Sequence, residues 1–216
     1  MYQQLNDADL MSLVVAGNHQ AFAQIVERHT DRFFALAYRS LQNQTDAEDV
    51  VQQAFIKLWQ KPAAWNSDKS QFTTWFYRVI VNACHDLRRG NKRVVDVDDE
   101  IVYAAVQPDQ SEQQNLEYEQ DARWKQKCVE HAMGKLPESQ RDALNLVVYA
   151  EMPQKQAADV LGISLKALES LLVRAKKSMI KTINSVQRQE SAQRESAQRE
   201  SAQRESAKQM RAEVRL

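Results

Sequence analysis

Over the first part of the chain, apolar residues recur every three or four positions, the period of helices that bury one face. A first helix is predicted near Asp7 to Ala16, opened by a capping aspartate and ended at Gly17-Asn18. A second runs from Gln20 to about Gln42, with Phe22, Ile25, Val26, His29, Phe33, Leu36 and Leu41 on one stripe. A third starts at Thr45, whose hydroxyl caps a first turn bearing Asp46, Glu48 and Asp49, and continues to Trp59 before Pro62. A fourth spans Phe72 to about Arg89. From Val94 to Ser111 the periodicity fades around Pro108, as in a linker. A second periodic region starts near Leu116 and breaks at Gly134 to Pro137. The four glycines (17, 90, 134, 162) and four prolines (62, 108, 137, 153) fall between the runs, which argues for an all-α protein.

Gln154 to Lys177, QKQAADVLGISLKALESLLVRAKK, is two short helical patterns hinged at Gly162. Ala157 and Ala158 allow two helix backbones to approach closely. Gly162 supplies the left-handed conformation that closes the first helix, and Ser164 offers a hydroxyl to cap the second. On the second helix Leu165, Leu168, Leu172, Ala175 and Met179 share the packed face. Lys166, Ala167, Ser170, Val173, Arg174 and Lys177 point outward, as a helix that enters a DNA groove requires. The plain alternative is a helical hairpin with a solvated basic face.

After Gln187 the pattern changes in kind, and QRESA repeats three times from Gln193 to Ala207 behind an imperfect copy at Arg188 to Ala192. A five-residue step advances about 500° around a helix, so no apolar stripe forms and the tail has nothing to pack with. Glu190, Glu195 and Glu200 each precede an arginine by four residues, which favours a transient, solvated helical extension or a disordered appendage.

Net charge is zero, with 29 basic and 29 acidic residues, so the total points to no polyanion. The distribution does. No Lys or Arg occurs from Val94 to Ala122, where Asp96, Asp98, Asp99, Glu100, Asp109, Glu112, Glu117, Glu119 and Asp121 stand. Arg88, Arg89, Lys92 and Arg93 precede this stretch, and Lys166, Arg174, Lys176, Lys177 and Lys181 follow it. Two basic surfaces thus flank an acidic connector.

The run FTTWFYRVIVNACHDLRR at Phe72 to Arg89 interleaves aromatics with cations, the combination that stacks on unpaired bases and follows a backbone. Phe76, Val79 and Ile80 suit the core; for Trp75 and Tyr77 core and stacking roles both stay open on composition. No Gly-rich phosphate loop, HExxH or GxSxG occurs, so nothing supports an enzyme. His85 beside Cys84, and Cys128 three residues before His131, lack the four closely spaced ligands of a structural zinc site, and no metal or other cofactor is expected. Lone cysteines without a CxxC partner suit a reducing compartment. With no apolar run of about 20 residues and no leader, no membrane insertion and a cytoplasmic location are expected.

Three stretches in order carry a resemblance: DAEDVVQQAFIKLW at Asp46 to Trp59, FTTWFYRVIVNACHDLRR at Phe72 to Arg89, and LPESQRDALNLVVYAEMPQKQAADVLGISLKALESLLVRAKK at Leu136 to Lys177. Together they resemble the extracytoplasmic-function class of bacterial sigma factors, in the sigma-70 family. The resemblance implies two small helical domains: region 2 over residues 1–93 and a region 4 helix-turn-helix domain over 116–186. An acidic linker over 94–115 joins them, and a low-complexity C-terminal tail occupies 187–216. It implies core RNA polymerase as partner, through the beta-prime coiled coil and the beta flap, with Asp46, Asp49 and Gln53 as polar contacts on the third helix. It also implies capture of an unstacked minus-10 base by Lys69, Ser70, Trp75, Tyr77 and Asn82, with Arg78, Arg88, Arg89, Lys92 and Arg93 on phosphates.

For the minus-35 duplex the family's recognition helix corresponds to Lys166, Ser170, Val173, Arg174 and Lys177. Arg174 is the base reader, and Lys166 and Lys177 hold phosphates. Glu169 lies on the same face, where many relatives carry a cation. Promoter DNA and an anti-sigma protein complete the implied partners. A helix-turn-helix regulator acting without polymerase docking is the alternative; it leaves DAEDVVQQAFIKLW without a use.

Overall fold

The computed structural model describes residues 2–92 and 116–213, with side chains described for 2–90 and 123–189; the acidic linker and Arg93 lie outside the described residues. Four helices form the first half: α1 (Asp7–Val15), α2 (His19–Leu41), α3 (Gln44–Gln60) and α4 (Phe72–Lys92). The second half comprises α5 (Leu116–Gly134), α6 (Glu138–Leu144), a π-helical turn (Asn145–Tyr149), α7 (Gln154–Leu161) and α8 (Leu165–Glu213). No strand occurs among the described residues, as the all-α expectation requires.

Helix starts are set by asparagines where other caps were expected. Asn6 accepts from the Asp9 amide at 2.9 Å, so Asp7 is the first helical residue and not the cap. Asn43 accepts from the Asp46 amide at 3.1 Å, which places Thr45 inside α3. An asparagine one or two positions upstream captures the same orphan amides, and a cap position takes one residue only. The hinge follows expectation: Gly162 closes α7 in the left-handed conformation at φ 67°, and Ser164 Oγ accepts from the Ala167 amide at 3.2 Å.

Aromatic residues fill the first half's core. Phe33 and Phe55 lie 4.7 and 4.8 Å from Phe76, ring centre to ring centre, and Phe72 adds a stacked ring at 5.4 Å. Each such ring, moved out of water, contributes about 1.5–3 kcal/mol. This apolar cluster does not end with α4. It continues into the second half through Leu146, Ala157, Ala158, Val160, Leu168 and Leu172. The paired alanines of α7 are what let that short helix sit against α4.

Of the five residues placed on the packed face of α8, Leu168, Leu172 and Ala175 are buried and Met179 packs against a smaller cluster with Met133, Leu136 and Leu144. Leu165 is the exception at 44% exposed, because it sits in the first turn, ahead of the point where α7 meets α8. The backbone of α8 runs unbroken through the repeats to Glu213.

Candidate nucleic-acid interface

Beyond the Gly162 turn, the outward side of α8 stands clear of the rest of the molecule. Lys166, Ser170, Val173, Arg174 and Lys177 are all exposed, as is Glu169. Ser170 Oγ donates locally to the Lys166 carbonyl at 3.0 Å. A helix in this state offers its side chains to a groove without first breaking tertiary contacts.

The surface of α4 is divided. Lys69, Ser70, Trp75 and Arg78 come together in a cavity of about 640 Å³ that Asn66 and Thr74 also line. An Asn66 turn shapes its loop: the Asp68 amide donates to Asn66 Oδ1 at 2.8 Å and the Lys69 amide to the Asn66 carbonyl at 3.2 Å. Trp65 pins the far end by donating Nε1–H to the Ser70 carbonyl at 3.1 Å. Trp75 is half-buried here, its ring 6.2 Å from Phe72 and 5.8 Å from Phe76. The opposite wall belongs to the hinge: Ala158, Asp159, Gly162 and Ile163 line the same cavity, and Arg78 donates to the Asp159 carbonyl.

Two residues assigned to this pocket lie elsewhere. Tyr77 is 4% exposed and edge-on to Phe33 at 5.2 Å, one helical position away from Arg78 and therefore turned inward. Burial pushes its phenol pKa up, against the nearby charges of Arg32 and Arg39. Asn82 is exposed but lies seven residues from Trp75 along α4, on the side facing α3. There it shares a groove with Asp46, Asp49 and Gln53, so the three residues expected to contact polymerase line one surface between α3 and α4.

Arg88 is also engaged, in a network across the two halves that sequence periodicity did not indicate. Its guanidinium lies 3.1 Å from Glu138 and donates to the Ser40 carbonyl. Buried Asp142 accepts from Ser40 Oγ at 3.0 Å and from His85 Nε2 at 2.6 Å, and Arg141 donates to the Ser40 carbonyl at 2.7 Å. The hydrogen bond to Asp142 raises the His85 pKa above its ordinary value, against the opposing effect of burial. His85, Glu138 and Asp142 hold possible ligand atoms within 4.8 Å of one another. Those atoms already serve one another and Arg88. Arg89 is exposed; Lys92 ends α4, its side chain outside the described residues.

Cys84 is buried and its thiol is pushed up to about 12, chiefly by burial, which keeps it protonated at neutral pH. No described helix is long and apolar enough to cross a membrane.

Comparisons with known proteins fall on the same two halves. Residues 25–94 match the family model for Sigma-70 region 2, and residues 126–179 that for Sigma-70, region 4. RNA polymerase sigma factor CnrH of Cupriavidus metallidurans is 30% identical over 181 residues, covering 79% of this chain and 91% of that one. ECF RNA polymerase sigma factor SigW of Bacillus subtilis is 26% identical over 182 residues, covering 80% and 94%. Among solved structures, CnrH in complex with the cytosolic domain of CnrY is similar with a TM-score of 0.60 at 28% identity, covering 83% of this chain and 97% of that chain.

Proposed function

The chain belongs to the sigma-70 family as an RNA polymerase sigma factor of the extracytoplasmic-function class, and from that premise we propose how its surfaces divide promoter recognition. The outward face of α8 reads the minus-35 duplex, with Arg174 on a base edge and Lys166 and Lys177 on phosphates. The α4 cavity receives one unpaired minus-10 base: Trp75 stacks, Lys69 and Ser70 bind its edge, and Arg78 and Arg89 follow the backbone. Asp46, Asp49 and Gln53, in their groove between α3 and α4, meet core polymerase. No catalytic step falls to this chain.

The observation that carries this reading is the cavity shared by Lys69, Ser70, Trp75, Arg78 and the hinge. Arg78, which would follow the strand backbone, is held by the Asp159 carbonyl of α7, so its contact with the strand requires α7 to move away. The compact arrangement is thus the resting form, and binding to polymerase, through two linked modules, supplies the free energy that separates them. An anti-sigma partner that holds the compact form fits the same logic; support comes from the similar chain captured with the cytosolic domain of CnrY.

Run-off transcription with purified core polymerase tests the proposal. Specific transcripts that depend on this chain are expected, and Trp75→Ala should lower their yield while leaving minus-35 duplex binding by the assembled holoenzyme intact. Equal loss of both activities would reassign Trp75 to the core.

A further inference from the structure

A third cavity lies between the halves, away from the base pocket and the α3–α4 groove. It measures about 270 Å³, and α2 contributes Arg32 and Arg39, α4 contributes Tyr77, and the second half contributes Asn145, Tyr149 and Glu151. Its chemistry is unlike that of a gap between packed helices. Asn145 is 0% exposed, and neither its Nδ2 nor its Oδ1 has a hydrogen-bond partner. A buried amide left in that state costs about 1–3 kcal/mol, so cores seldom keep one without a use. Arg32 and Arg39 are likewise without a carboxylate among the described residues. Arg39 lies 4.3 Å over the Tyr149 ring, which orients its guanidinium without neutralising it. Glu151, at the rim, stands in the left-handed region at φ 51°, a conformation uncommon for glutamate and seen most where a backbone is held for a purpose.

We propose that this cavity is a binding site for a small oxyanion, the carboxylate or phosphoryl group of a metabolite, held by the Arg32 and Arg39 guanidinium groups, the Tyr77 hydroxyl and the Asn145 amide. Two arginine forks against one rim carboxylate leave net positive charge, and planar guanidinium donors suit either oxyanion in bidentate geometry. The volume admits a molecule of a few to about fifteen heavy atoms, smaller than most drug-sized sites.

Because the walls come from both halves, the ligand binds only the compact arrangement and stabilises it. A metabolite at this site would therefore oppose promoter engagement, a corollary that rests on the function proposed above, whereas the binding itself does not.

The test uses the free full-length chain, without polymerase or DNA. Inorganic phosphate, glycerol phosphate and succinate are titrated separately at constant ionic strength, with potassium chloride as control, following melting temperature and heat of binding. At least one probe is expected to bind saturably, and the strongest identifies the source as phosphoryl or carboxylate. Arg32→Gln, at an exposed position that leaves the core untouched, and Arg39→Gln should each weaken that binding at least tenfold, with helicity checked by circular dichroism. A response to all three probes no different from chloride would overturn the proposal, as would saturable binding unchanged in both variants.

Discussion

Two DNA-facing surfaces of this sigma factor are built in opposite ways. On α8, all five outward residues are exposed. On α4, the matching set is split: Trp75 and Arg78 lie in a cavity walled by α7, Tyr77 in the aromatic core, Asn82 in the groove facing α3, Arg88 in a polar network with α6, and Arg89 is exposed. An isolated helix face is ready to read intact duplex, while a helix packed on several sides must release some neighbours before it receives a base. On the proposed assignment, the duplex-reading face is preformed, whereas Arg78 at the base pocket has to leave the Asp159 carbonyl of α7 before it can meet a strand.

The largest expected effect comes from the core beneath both surfaces. Phe76 is fully buried among Phe33, Phe55 and Phe72, so Phe76→Ala should cost about 3–5 kcal/mol in urea unfolding. Because the same apolar cluster continues beneath α7 and α8, a single cooperative transition is expected, with minus-35 binding weakened alongside promoter opening. Two transitions, the second of them wild-type and retaining duplex binding, would show that the α8 face rests on a core of its own.

A smaller effect separates the surfaces. Arg174→Ala, on the open face, should cost about 1–3 kcal/mol at one base position of the minus-35 element and relax preference there, measured by competition among duplexes bound by the holoenzyme. Loss spread evenly over all sequences would make Arg174 a phosphate contact. On the covered face, Asp142→Asn removes the charge that Ser40 and His85 share across the halves and should shift the balance toward separation by about 1–3 kcal/mol. Binding of a single-stranded minus-10 oligonucleotide by the free chain should then rise. Unchanged binding would mean that α7 is no barrier to the pocket.

The same contrast decides how much was legible in the residues alone. The α8 face follows from local rules: a left-handed glycine, a serine cap and a helical period of apolar residues fix which side looks outward, and only Leu165 departs from it. Three of the residues expected at the base pocket, Lys69, Ser70 and Trp75, are gathered there, with Arg78 of the expected phosphate contacts beside them, because loop and helix start are adjacent in sequence. Tyr77 lies in the core, and composition cannot say which of the consecutive aromatics, Trp75, Phe76 and Tyr77, turns inward; the packing of α4 against α2 decides that. The Ser40, His85, Arg88, Glu138 and Asp142 network joins residues up to 102 positions apart, so no local period marks it. Asp142, standing just ahead of the largely apolar run ALNLVV at Ala143 to Val148, was one available signal.

The smallest expected effect is a pH dependence of that network, and its sign is fixed by His85. The imidazole faces Asp142 and Glu138 of α6 and lies beside Arg88 of α4, with Arg141 also in the network. Its hydrogen bond to Asp142 raises the pKa in the compact form, while separation of the halves returns it toward the ordinary value near 6.5. A group whose pKa is higher in one state favours that state fully below the unperturbed value and loses the preference as pH rises through the raised one. The compact form is therefore best held in mildly acidic solution and loosens toward alkaline pH. Arg88 opposes part of this shift, and His85 is partly exposed to screening solvent, which keeps the change below that of Asp142→Asn. Energy transfer between fluorophores placed in the two halves should fall between pH 6 and 9 in the wild type and change little in His85→Gln, which retains an amide donor that does not titrate. An equal fall in both proteins would assign the titration to another group and leave the network as a fixed polar contact.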